Sequence, residues 1–82
     1  MNSASLETSP RLQRTLAALR AAGGWLTTRE IIAEADVCAV NSCIAELRDN
    51  GVLIESKQET WSGGRRVWSY RLRLPAQGEL AL

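Results

Sequence analysis

Asn41 and Ser42, in the run AVNSC, and Arg65 and Arg66, directly after Gly63-Gly64, are the side chains of this chain best equipped to recognise a ligand. An asparagine amide presents a donor and an acceptor side by side, the pattern that pairs bidentately with N6 and N7 of adenine. A serine hydroxyl bonds either a base or a phosphate. Arginines beside a diglycine bend project from a loop tip, from which a guanidinium reaches a phosphate backbone or a minor groove. Thr27, Thr28 and Arg29 offer a hydroxyl, the amides of a helix start and a cation, which together suit a phosphate. Val37 and Ala45 are small apolar groups of the kind that touch a thymine methyl, and Cys38 lies between them. Catalytic chemistry has no comparable candidate. Histidine is absent, the two cysteines form no metal-ligand spacing, and no carboxylate pair or phosphate-cradling glycine loop is present. We therefore expect neither an enzyme nor a bound cofactor or metal.

These groups need elements to position them. Ser9-Pro10 caps a first helix reaching about Ala22, with Leu12, Leu16 and Leu19 on its inner stripe, Arg14 outward, and Gly23-Gly24 ending it. Trp25-Leu26 reads as a strand stub. Thr27 with Glu30 makes a capping box that starts a second helix, on which Ile31, Ile32 and Ala35 point inward. Asp36 then reads as the cap of a third helix that closes on Asn50-Gly51 after about four turns, the connection between the two helices being almost nil. On that helix Val40, Cys43, Ile44 and Leu47 share the inner face, and Cys38, Asn41, Ser42 and Ala45 the outer.

The run from Val52 to Leu74 reads as two strands around Ser62-Gly63-Gly64-Arg65. With the glycines as the central pair of a two-residue turn, Thr60 faces Val67 and Trp61 faces Arg66. Leu53, Trp61, Trp68, Tyr70, Leu72 and Leu74 then share one side, and Ile54, Val67, Ser69, Arg71 and Arg73 the other. Residues 1–8 read as a loose arm, residues 9–75 as the folded domain, and residues 76–82, after the strand-stopping Pro75, as a tail.

Length and composition fit one small domain: 82 residues, 45% hydrophobic and 23% charged. No apolar run is long enough to span a bilayer and the N-terminus lacks export-signal character, so the expectation is a cytoplasmic protein without membrane contact. The net charge of +1 is unevenly spread. Residues 28–50 carry Glu30, Glu34, Asp36, Glu46 and Asp49 against Arg29 and Arg48, whereas residues 60–74 carry Arg65, Arg66, Arg71 and Arg73 with no acid. The hairpin is the electropositive part.

The run AVNSCIAELRDNGVLIESKQETWSGGRRVWSYRL resembles the second half of winged helix-turn-helix DNA-binding domains. It is similar to the N-terminal module of the biotin repressor and closer to small winged-helix proteins of bacterial phages and prophages. The resemblance is carried by Ile44, Leu47, Arg48 and Gly51, then Tyr70 and Leu72, and it covers roughly residues 10–74. It implies an α+β winged helix-turn-helix fold of three helices and a C-terminal hairpin. It also implies sequence-specific binding of double-stranded DNA by a small transcriptional regulator. The DNA-binding residues would be Thr27, Thr28, Arg29, Val37, Cys38, Asn41, Ser42, Ala45, Arg65 and Arg66. Because the third helix carries no cation in its first two turns, such binding calls for a homodimer or a larger assembly. The alternative is a winged-helix module for protein contact. In that case Asn41 and Ser42 are merely solvated, and the arginines protect a hairpin edge.

Overall fold

The chain builds its helices where apolar residues recur at helical spacing and its hairpin around the Gly63-Gly64 bend. The computed structural model describes residues 5–73, which form α1 (Pro10–Ala22), β1 (Leu26–Thr27), α2 (Thr28–Ala35), α3 (Val40–Asp49), β2 (Ile54–Trp61) and β3 (Arg65–Leu72). This is an α+β arrangement of three helices and a three-stranded antiparallel sheet in the order β1-β3-β2. Leu74, Pro75, the expected tail and residues 1–4 of the expected arm lie outside the described residues.

One core joins the layers. Leu12, Leu16 and Leu19 of α1 meet Ile31 and Ala35 of α2, Val40, Cys43, Ile44 and Leu47 of α3, and Leu26, Ile54 and Tyr70 of the sheet. Each fully buried aliphatic side chain there stabilises the fold by roughly 2 kcal/mol relative to exposure. The helix stripes are those expected, with one exception. Ile32 is exposed, because eight residues of helix turn only one narrow face inward and Ile31 and Ala35 occupy it.

Local chemistry fixes the element ends. Gly23 stops α1 in the left-handed region at φ 63°. Ser9 precedes Pro10 without a side-chain capping bond. At the start of α2 the capping box is complete: Thr27 Oγ1 accepts from the Glu30 amide at 3.1 Å, and Glu30 Oε1 accepts from the Thr27 amide at 2.8 Å. The end of α3 is a Schellman turn in which the Gly51 amide donates to the Arg48 carbonyl and the Val52 amide to the Leu47 carbonyl, both at 3.0 Å. Gly51, not Asn50, takes the left-handed conformation, at φ 88°.

Further expectations are corrected. Asp36 does not cap α3; it ends α2 in the left-handed conformation, φ 54°, with its amide bonded to the Ile32 carbonyl. Residues 36–39 therefore form a genuine turn, Ala39 stands at the cap of α3, and that helix is ten residues long. Arg14, although exposed, reaches across from α1 to close the same end of α2. Its Nε donates to the Ala35 carbonyl at 2.8 Å and its Nη2 to the Asp36 carbonyl at 3.3 Å.

Residues 5–8 are not loose. They form a turn held by Gln13 Nε2 donating to the Leu6 and Glu7 carbonyls, with the Leu6 amide bonded to Asn50 Oδ1 and its side chain packed on the core.

The hairpin departs furthest. Its connection is the three-residue 3-10 turn Ser62–Gly64, which pairs Thr60 with Arg66 and Trp61 with Arg65. A shift of one residue moves every side chain of one strand to the opposite face. Ile54 consequently joins Tyr70 and Leu72 on the helix-facing side, and Trp61 leaves the side that holds Trp68. On the outer face two cations lie over the Trp25 ring, Lys57 Nζ at 4.5 Å and the Arg71 guanidinium carbon at 4.6 Å from its centroid. Arg71 also pairs with Glu55.

Candidate nucleic-acid interface

α3 and the hairpin diverge to leave an open groove of about 330 Å³, lined by Asn41, Ala45 and Arg48 from the helix and by Ser56, Trp68 and Tyr70 from the sheet. The helix contributes positions i, i+4 and i+7, which stack along one face. Strand alternation puts Ser56, Trp68 and Tyr70 on the sheet face that looks toward them. Arg66 continues that face toward the tip, and Arg65, one residue earlier, lies on the opposite face; both are exposed.

Within the groove the polar groups are organised by one another. The Tyr70 hydroxyl donates to Asn41 Oδ1 at 3.1 Å, although the Tyr70 ring is otherwise core. Arg48 Nη2 donates to the Ile54 carbonyl at 2.9 Å and to Ser56 Oγ at 3.4 Å, which bridges the helix to the start of the hairpin. Trp68 stands 44% exposed beside them.

The expected outer face of α3 divides in two. Asn41 and Ala45 front the hairpin groove, whereas Ser42 turns toward α1 and lines a second hollow with Cys38, Arg11 and Arg14. In that hollow Arg11 pairs with Glu46 at 2.6 Å and Nη1 approaches Cys43 Sγ at 3.4 Å. The Glu46 carboxylate, and after it the Cys43 sulfur, hold the Arg11 guanidinium above its already high ordinary value. Arg11 is therefore a fixed positive charge at every working pH.

Three expectations change. Val37 is only 6% exposed; the turn of residues 36–39 folds it into the core, so it has no surface to give a base. Cys38 is exposed but sits in that turn rather than on the helix, which removes the helical spacing assumed between it and the buried Cys43. Thr27 and Thr28 are half-buried. The Thr27 hydroxyl belongs to the capping box, and Thr28 Oγ1 donates to the Trp68 carbonyl at 3.4 Å, so of this trio Arg29 projects outward. Trp68, Tyr70, Ser56 and Arg48 are the groove residues absent from the expected set. Arg48 is the i+7 continuation of Asn41 and Ala45, but nothing in the sequence separates an aromatic that lines a groove from one that packs.

Comparison with protein-family models, with curated proteins and with solved structures finds no match to this chain. Among the described residues no helix is long and apolar enough to cross a membrane, and no group of three or more His, Cys, Asp or Glu could hold a metal ion.

Proposed function

We propose that the chain is a winged helix-turn-helix domain that binds double-stranded DNA as a small transcriptional regulator. In this reading α3 lies in the major groove and the β2–β3 hairpin runs beside it. The observation that carries the reading is the shared front of α3 and the hairpin: Asn41, Ala45 and Arg48 face Trp68 and Tyr70 across one open groove, and Arg66 extends the same sheet face. The chain order helix, strand, helix, helix, hairpin, with the sheet ordered β1-β3-β2, supports it. A helix is the element that fits a major groove roughly 12 Å wide, and the exposed small residues of α3 allow close approach. In this reading the exposed Arg29, Arg65 and Arg66 contact phosphates, Arg65 reaching from the opposite face of the hairpin tip.

The number of outward cations is small, so tight binding requires two copies on one duplex. Selection from a random duplex pool, together with the solution mass of the protein, tests the reading. A dimer that enriches a palindrome is the expected result, and absence of any enriched sequence would refute it. A second reading, a module for protein contact, is favoured by the exposed Ile32, Leu53, Trp61 and Trp68. It expects no enrichment and little dependence of partner binding on salt.

A further inference from the structure

The hydrogen bond between Tyr70 and Asn41 bears on which base α3 reads, an inference that rests on the DNA-binding reading above. Tyr70 is 5% exposed and belongs to β3, the middle strand, paired with Leu26 on one side and Ser56 on the other. Its ring is held in the core, and its hydroxyl points to Asn41 at the groove. A phenol in that position needs an acceptor, and it is a better donor than acceptor; Asn41 Oδ1 at 3.1 Å supplies the lone pair. The bond fixes the amide. Its carbonyl turns back toward the sheet, and the Nδ2 hydrogens are the groups left to face a ligand.

Adenine recognition by asparagine needs the carbonyl to accept from N6 while Nδ2 donates to N7. With the carbonyl held by Tyr70, Asn41 presents donors instead. Guanine is the base whose major-groove edge offers two adjacent acceptors, N7 and O6. We propose that Tyr70 is a specificity-determining positioning residue. It locks the Asn41 amide as a donor, so that the position read by Asn41 is guanine rather than adenine.

The test is selection from a random duplex pool with wild type, Asn41→Ala, Asn41→Asp and Tyr70→Phe, each checked for an unchanged folded signal and melting transition. Asn41→Ala identifies the base pair that Asn41 governs, as the position where preference disappears. Wild type is expected to favour guanine over adenine there by about ten-fold. Tyr70→Phe frees the amide to rotate, so that ratio should fall toward one while the rest of the motif is retained, an effect that general loosening of the fold would not confine to one position. Asn41→Asp, an exposed and isosteric change, keeps the acceptor for Tyr70 but removes the donors and should abolish the guanine preference. Adenine at that position in wild type, an unchanged ratio in Tyr70→Phe, or retained guanine preference in Asn41→Asp overturns the inference and leaves DNA binding standing. If Tyr70→Phe does not fold, Asn41→Asp decides. No enriched sequence with wild type overturns both.

Discussion

Replacing Arg65 and Arg66 together by alanine tests where the proposed electrostatic attraction to DNA originates. Several of the chain's cations are engaged by partners within the chain: Arg11 by Glu46, Arg14 by the end of α2, Arg71 by Glu55 and Trp25. Arg29, Arg65 and Arg66 are exposed, the last two at the hairpin tip, and Arg48 is occupied bridging α3 to Ile54 and Ser56. With about three phosphates neutralised per copy, log affinity should fall with log salt at a slope of about −2.7. Raising salt from about 50 to 200 mM then weakens binding about 40-fold. Removing both tip arginines leaves a slope near −0.9 per copy and only about a 3- to 4-fold loss over the same range. A dimer doubles both slopes. Fluorescence anisotropy of a labelled duplex at several salt concentrations gives the slopes directly. Arg71→Ala is the control, since its guanidinium lies at the end of the hairpin away from the tip, over Trp25 and paired with Glu55, and it should leave the slope unchanged. Equal slopes for wild type and the double variant, or a change as large in Arg71→Ala, would show that the hairpin tip does not meet phosphate.

Two further expectations concern stability. At eight residues α2 is too short to persist alone, so its end bonds matter. Thr27→Ala should cost about 1 kcal/mol by opening the capping box, and Arg14→Ala a similar amount by uncovering the Ala35 and Asp36 carbonyls. Each should lower the melting temperature by about 4–8 °C, and the two should add, because the ends share no partner; strong non-additivity in a double-variant cycle would refute independent capping. Gly51→Ala meets no atom within 4 Å but must hold φ 88°, so it should destabilise by about 1 kcal/mol through backbone strain. Gly24→Ala, equally unobstructed and without a positive φ, should be neutral or stabilising in the same urea titration.

What was legible in the sequence was what neighbouring residues settle between themselves. The stripes Leu12, Leu16, Leu19 and Val40, Cys43, Ile44, Leu47 follow from a 3.6-residue period, and the Thr27–Glu30 box spans a single helical turn. The exposed positions of Asn41 and Ala45 on α3 followed from the same stripe. The hairpin register did not, because a bend containing two glycines closes with either two or three residues, and the choice depends on strand twist and on which side chains reach the core. That choice put Ile54 inward and set Trp61 and Trp68 on opposite faces.

Sequence alone determined the order of the elements and the apolar stripes of α1 and α3, since these depend on contacts a few residues apart. Only the tertiary structure decided that Val37 is core, that Arg14 closes a helix end 21 residues away, and that Tyr70 grips Asn41 across 29 residues of chain. Those relations arise where separate elements meet, and a hydrogen-bond partner chosen by packing leaves no periodic trace in the order of the amino acids.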